Sequence, residues 1–198
     1  NAPNEGDAMN LIRKFIARRS ASTLFIASFA LVDLLGALLL MLPWTSHSKP
    51  LTFVDAFFTA TSAICVTGLT VVDTGGYFTL FGQLVVLSLV QLGGLGTMTL
   101  AALLFLTSGW GMSLRQRAFI YDNYTVDIGD DLRRLVPFIF LTTALIELVG
   151  ALVMLPAWHG PISLPRRLYL SVFHAVTAFC NAGFSLYSDS LMGYAANP

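Results

Sequence analysis

The sequence predicts an all-α integral membrane protein in which a unit of one span, one short re-entrant helix and one non-helical stretch is repeated in parallel. Three observations predict it. Of the 198 residues, 56% are apolar and 11% are charged, whereas a soluble domain carries about 25% charged residues. Several apolar segments are long enough to cross a bilayer. A set of residues also recurs at an offset of 114 or 115 positions.

The same composition excludes several other classes of protein. A mean hydropathy of +0.73 is too high for an ordinary soluble domain or a disordered segment. The 11 basic residues are balanced by 11 acidic ones, so we expect no nucleic-acid partner. Two cysteines cannot form a disulfide framework, and no Cys/His cluster has zinc spacing.

Three segments are predicted to span the membrane, since a helix needs roughly 20 apolar residues to do so. They are 22–42, interrupted only by Asp33, then 77–106, and 135–155, interrupted only by Glu147. We expect each carboxylate either to hydrogen-bond within the helix packing or to act as an ion relay. The first segment is too long for a signal sequence, and no cleavage site follows it.

The basic residues predict the orientation and the division of the chain. Eight of the 11 lie before the first span or between the second and third, which places the N-terminus and the long connection in the cytoplasm. The chain is predicted to have four parts. A cytoplasmic N-terminal segment covers 1–20, and its residues 1–8 are interpreted as vector-derived. A first repeat (21–107) is followed by a cytoplasmic connection (108–133) and by a second repeat (134–198) that lacks its last helix.

The internal repeat joins a carboxylate, a cysteine and a glycine in the same order. Asp33 matches Glu147 at an offset of 114, and Cys65 and Gly68 match Cys180 and Gly183 at 115. A second span returns the first unit to the cytoplasmic side, so both units have one orientation. Such parallel repeats are related by an axis along the membrane normal.

Each unit contains an apolar stretch too short to span, 51–64 and 165–179, which favours a re-entrant helix. The partly negative C-terminal end of each helix would point into the membrane at a non-helical stretch. We name these stretches the first filter loop (65–70) and the second filter loop (180–185). Their carbonyls could replace the hydration shell of a cation. The predicted ion-binding residues are Cys65, Val66, Thr67, Gly68, Cys180, Asn181, Ala182 and Gly183.

These residues carry a resemblance to a known family. The sequence 61–75 (TSAICVTGLTVVDTG) is similar to the first filter region of the Trk/Ktr potassium uptake superfamily, and 174–185 (HAVTAFCNAGFS) resembles the second. The stretch 91–96 (QLGGLG) looks like the glycine-rich part of the following helix. Residues 188–192 (SDSLM) most resemble the KtrB-type membrane subunits of the Ktr branch.

The resemblance implies potassium uptake across a bacterial inner membrane by the pore subunit of a multi-pass system. Four filter units would surround one pore, so this chain would be the N-terminal half and would need the remaining half. The implied partners are membrane lipid, a second copy in a homodimer, and a cytoplasmic nucleotide-binding KtrA-like subunit. No organic cofactor and no enzyme activity are expected. One glycine per filter leaves Na⁺ passage open beside K⁺.

Several residues have two interpretations. Asp73 and Asp189 follow the filter loops and either gather cations at an outer mouth or cap turns. Gly93, Gly94 and Gly96 provide either a gating hinge or a close helix approach.

Two alternatives concern other side chains and the function itself. Cys65 and Cys180 could pair but are expected to behave as small apolar residues, and His174 is expected to be packed rather than to carry protons. The alternative functions are a broken-helix secondary transporter of an organic substrate and a non-conducting membrane scaffold; the first should have inverted repeats.

Overall fold

The computed structural model describes residues 21–108, 128–158 and 161–194, and within these ranges the protein is helical. The predicted all-α class is therefore confirmed for this part of the chain. One isolated antiparallel bridge joins Ser46 to Phe78. The helices are α1 (Ala21–Leu40), α2 (Phe53–Ile64), α3 (Thr74–Tyr77), α4 (Leu80–Ser108), α5 (Ile128–Met154) and α6 (Leu164–Phe179), with 3₁₀ turns at Leu155–Ala157 and Met192–Tyr194. The predicted segment 1–20 and residues 109–127 of the predicted connection lie outside the described residues.

Two of these helices contain stretches long and apolar enough to cross a membrane, Leu80–Thr99 in α4 and Val136–Ala157 at the end of α5. Helix α1 has 20 residues, about 30 Å of helix, and contains the apolar stretch Ile26–Leu40. The helices α2 and α6 have 12 and 16 residues, which is the short length predicted for re-entrant helices. The architecture is consistent with an all-α membrane protein.

The helices pack so that α4 lies against both short helices. Helix α1 contacts α2, α5 contacts α6, and α4 contacts all four. Small residues make the close packing of α2 possible: Ala56, Ala60 and Ala63 are fully buried, and their spacing of three and four places them on one helix face. On α1, a Cβ added at Gly36 would lie 2.7 Å from a methyl group of Leu89 in α4.

The core lies around the short helices, whereas the long helices expose apolar side chains. Trp158, Phe78 and Phe173 are among the largest fully buried side chains. In contrast, Leu35 in α1 is 50% exposed and Val153 in α5 is 70% exposed. Apolar residues on the outward face of a helix are typical of contact with lipid or with further protein.

Candidate functional site: the two filter loops

Each short helix begins after a hydroxyl residue at its N-cap. Thr52 is the N-cap of α2, and its hydroxyl oxygen accepts a hydrogen bond from the Asp55 backbone N–H at 3.3 Å. The same hydroxyl donates to the Asp55 carboxylate at 2.7 Å, so the cap residue and the third helical residue are joined by two hydrogen bonds. Ser163 is the N-cap of α6 but makes no side-chain cap bond there, and Pro165 lies in the first turn.

Both short helices end in the same way, at the cysteines. Cys65 and Cys180 are the C-caps of α2 and α6, and both have right-handed helical backbone angles. At the end of α2, Val66 N–H donates to Ala63 carbonyl oxygen at 3.2 Å and Thr67 N–H to Ser62 carbonyl oxygen at 2.9 Å. These two bonds form a Schellman motif, which satisfies the last carbonyls of a helix.

The end of α6 has the matching pair of bonds. Asn181 N–H donates to the Ala178 carbonyl oxygen at 3.0 Å, and Ala182 N–H donates to the Thr177 carbonyl oxygen at 2.8 Å. Each donor and acceptor lies 115 positions after its counterpart at the end of α2. The recurrence of residues noticed in the sequence therefore extends to the backbone hydrogen bonds of the two loops.

Two residues in each loop have left-handed backbone angles. The φ values are 59° at Val66 and 73° at Gly68 in the first filter loop, and 57° at Asn181 and 72° at Gly183 in the second. Glycine adopts this region without strain and asparagine tolerates it, but a β-branched residue rarely does. The sequence indicated the two glycines; the left-handed valine has no sequence signal, because it is the least expected residue type at that position.

The two filter loops lie directly against each other at their glycines. A Cβ built on Gly68 would lie 2.9 Å from the Cα of Gly183 and would overlap the Ala182 carbonyl oxygen. A Cβ on Gly183 would lie 3.2 Å from the Cα of Gly68. The structure therefore brings the predicted ion-binding residues of both units to one place, where backbone approaches backbone without intervening side chains.

The glycine-rich part of α4 contacts the ends of both short helices. A Cβ on Gly93 would overlap the carbonyl oxygen of Ile64, and one on Gly94 would lie 2.5 Å from the Cys180 Sγ. A Cβ on Gly96 would lie 3.1 Å from the ring of Phe29. Since α4 is continuous through these positions, their observed role is close approach, and the hinge stays a prediction.

The two carboxylates of α1 and α5 each meet a polar side chain near a filter loop. Thr61 on α2 donates its hydroxyl proton to Asp33 at 2.8 Å, and Asp33 is only 8% exposed. Glu147 is hydrogen-bonded to Gln91 on α4. These bonds are of the structural kind that we expected as one alternative. Sequence reasoning missed Thr61 and Gln91, because residues 28 to 56 positions apart meet only after folding.

The residues after the loops are placed differently in the two units. Asp73 caps the one-turn helix α3, and its carboxylate accepts a hydrogen bond from Gly75 N–H at 3.1 Å. Asp189 is exposed, and its backbone carbonyl oxygen accepts from Met192 N–H at 3.3 Å. The turn-capping interpretation therefore holds for Asp73, and attraction of cations by either residue stays a prediction.

Three further predicted residues have defined surroundings. Cys65 and Cys180 are both free thiols; Cys65 is exposed and Cys180 is half-buried. His174 is 2% exposed and both of its ring nitrogens lie within hydrogen-bond distance of partners. Among the described residues, no group of three or more His, Cys, Asp and Glu side chains could hold a metal ion.

Sequence comparison identifies proteins that this chain resembles along almost its whole length. The profile of the TrkH family, described as "Cation transport protein", matches residues 9–198. The Ktr system potassium uptake protein B of Bacillus subtilis is 44% identical over 170 residues, which cover 86% of this chain and 38% of that protein. The protein of the same name from Vibrio alginolyticus is 41% identical over 182 residues, 92% of this chain and 40% of that one.

A third relative is named for the uptake of two ions. The potassium/sodium uptake protein NtpJ of Enterococcus hirae is 34% identical over 191 residues, which cover 96% of this chain and 42% of that protein. In all three cases the chain spans well under half the length of the relative that it matches.

Proposed function

The chain belongs to the TrkH family of cation transport proteins, and from this membership we propose that it supplies two filter units of a potassium-conducting membrane subunit. The two filter loops would bind K⁺ in transit across a bacterial inner membrane. The observation that carries the proposal is the matched pair of left-handed glycines, Gly68 and Gly183, which approach each other at the ends of two short helices.

The proposed chemistry is carried by the backbone. Carbonyl oxygens of Cys65–Gly68 and Cys180–Gly183 would replace the water molecules of a dehydrated potassium ion. The C-terminal ends of α2 and α6 carry partial negative charge, which stabilises a cation near those ends. In each loop, two left-handed residues are separated by one residue that is not left-handed. This alternation turns successive peptide groups, so that their carbonyl oxygens could point toward one axis. Asp73 and Asp189 would gather cations at the outer mouth.

We propose that the two units are parallel repeats around a pore that they line only in part. The equivalent caps, glycines and carboxylates support this arrangement, as does the shared position of α2 and α6 against α4. The first repeat would be 21–107 and the second 134–198, joined by a cytoplasmic connection 108–133. Since the chain spans about 40% of the length of its relatives, the other filter units would come from the remaining half of the polypeptide.

The partners follow from the family and the exposed surface. Apolar side chains on α1 and α5 would face lipid or the remaining half. A homodimer and a KtrA-like cytoplasmic regulator are proposed because relatives are named as parts of a Ktr system. Na⁺ is proposed as a second transported ion, because one relative is named a potassium/sodium uptake protein.

Rubidium uptake into proteoliposomes tests this proposal when the complete polypeptide that carries this sequence is used. Gly183→Ala should lower uptake by at least about tenfold, because the residue has a φ of +72° and its Cβ would press on Gly68. Gly150→Ala is the matched control: its Cβ would lie 3.5 Å from the Ala175 Cβ, an ordinary contact, and uptake should be retained. Absence of uptake by the folded wild-type polypeptide would reject the proposed pore.

A further inference from the structure

His174 on α6 bridges its own helix and the end of the second filter loop. Its Nδ1 lies 2.8 Å from the carbonyl oxygen of Leu170, one turn earlier in the helix. Its Nε2 lies 3.2 Å from the hydroxyl of Ser185 and 3.4 Å from the backbone nitrogen of Leu186. One buried ring therefore touches the helix backbone on one side and the loop backbone on the other.

These partners determine which nitrogen carries the proton. A carbonyl oxygen can only accept, so Nδ1 must donate to Leu170. The Leu186 N–H can only donate, so Nε2 must be the unprotonated acceptor. Ser185 fits the same assignment, because its hydroxyl oxygen accepts from the Tyr187 N–H at 3.1 Å and its proton is free to point at Nε2. The ring is thus neutral and held in one tautomer.

The surroundings fix the position of the ring. The Trp158 ring lies 5.1 Å from the His174 ring, centroid to centroid, and its indole N–H donates to Ser171 at 2.7 Å. The Tyr187 ring is stacked on the His174 ring at 6.0 Å and on the Trp158 ring at 5.9 Å, so the three rings form one cluster. The titratable group that faces the imidazole is Tyr187, which is linked to Tyr194.

Two charged residues lie close enough to Tyr187 to interact with its hydroxyl group electrostatically. They are Arg166 and Asp189, and they have opposite signs. The His174 ring itself is 2% exposed. Burial of the ring is therefore the main reason why the neutral form is favoured at neutral pH.

We propose that His174 is a positioning residue of the second filter: its Nε2 lone pair holds the backbone at Ser185 and Leu186 and so fixes the outer end of the loop that contains Gly183. The inference rests on the proposed function, since it assumes that this loop binds the transported ion. Gly183 is two residues from Ser185, so displacement of the held segment would change the direction of the carbonyls beside it.

The first unit has no such bridge, which makes the role specific to the second filter. The residue 115 positions earlier is Thr59, and its hydroxyl donates to Asp55 within α2 at 2.7 Å. The first filter loop is instead held by Thr67, whose hydroxyl is 3.0 Å from the Ser62 hydroxyl. Ala182, the counterpart of Thr67, cannot make that bond. Each loop is therefore held by a different side chain.

A pair of substitutions of similar length separates the acceptor from the bulk of the side chain. In the complete polypeptide, His174→Gln places an amide oxygen where Nε2 accepts, whereas His174→Met offers no comparable acceptor. We expect the Met variant to lose rubidium uptake by about tenfold, the change that corresponds to one lost buried hydrogen bond, and its preference for Rb⁺ over Na⁺ to fall. The Gln variant should stay within about threefold of wild type. His47→Gln, in an exposed loop, is the control and should behave as wild type.

The pH profile gives a second readout, which remains available if the Met variant does not fold. Protonation of Nε2 removes the acceptor, whereas a glutamine amide does not titrate, so acid pH can weaken the bond in the wild type but not in His174→Gln. The ratio of uptake at pH 5.5 to uptake at pH 7.5 should therefore be lower for wild type than for His174→Gln. Equal uptake and selectivity of the Met and Gln variants, or loss of uptake by the folded Gln variant, would overturn this inference while leaving the pore intact. Loss of uptake by wild type itself would instead reject the pore.

Discussion

At the residue scale, the two filter loops differ most in the side chain that follows each cysteine cap. Val66 and Asn181 occupy the same position of the Schellman motif and have φ values of 59° and 57°. A left-handed conformation costs an ordinary residue roughly 1–2 kcal/mol, whereas asparagine is among the residues that end helices in this way. The first loop is therefore the strained member of the pair, and such strain is commonly found at functional sites.

Exchange of these two residue types should change stability in opposite directions. Asn181→Val should lower the midpoint of thermal unfolding in detergent, with a loss of about 1 kcal/mol, because it introduces the strain that Val66 already carries. Val66→Asn should raise the midpoint by less, since Val66 is half-buried against the core and would lose apolar contact. An unchanged midpoint for Asn181→Val would mean that the left-handed valine is not strained.

At the scale of elements, α4 connects the two units through glycines that leave no room for a side chain. Gly93 faces the end of α2 and Gly94 faces the end of α6. Both short helices therefore rest on one continuous helix, immediately before their filter loops begin. Any displacement of α4 at these positions would move both loops together.

Gly94→Ala distinguishes close approach from the hinge that the sequence also allowed. The new Cβ would lie 2.5 Å from the Cys180 Sγ, so we expect a lower yield of monodisperse protein in size-exclusion chromatography. Gly94→Ala combined with Cys180→Ala should recover part of the yield, because the sulfur is removed and the nearest remaining atom of residue 180 lies at 3.1 Å. Normal yield with altered rubidium uptake in the single variant would favour the hinge instead.

The sequence predicted the elements closely but not the contacts that hold the loops. The short apolar stretch 51–64 corresponds to helix Phe53–Ile64 and 165–179 to Leu164–Phe179, because capping residues, proline and length are local signals. The bond from Thr61 to Asp33 and the contact of Gly93 with Ile64 depend on how helices meet. The left-handed angle at Val66 contradicts the local preference of valine and follows only from the geometry of the whole cap.

At the scale of the whole molecule, the contact between the two loops and the exposed apolar faces support the incomplete ring that we propose. The loops meet at Gly68 and Gly183, while α1 and α5 expose large apolar side chains. Two filter loops cannot coordinate an ion from all sides, because a carbonyl filter replaces the whole hydration shell. The relatives, which are more than twice as long as their matched segments, are long enough to include further units.

The distribution of basic residues along the chain also predicts how the protein is oriented in the membrane. Six of the 11 Lys and Arg residues lie in the N-terminal segment or the connection between α4 and α5, and Arg133 and Arg134 lie in the first two turns of α5, so the segment and the connection should be cytoplasmic. Single cysteines test this in a Cys65→Ala, Cys180→Ala background that retains rubidium uptake. Ser48→Cys, in the exposed loop after α1, should react with a membrane-impermeant maleimide in intact spheroplasts. Ser113→Cys, in the basic connection, should react only after permeabilisation. The reverse pattern would invert the proposed topology and place the filter loops at the cytoplasmic end of the proposed pore, because α2 and α6 are proposed to re-enter from the side on which Ser48 lies.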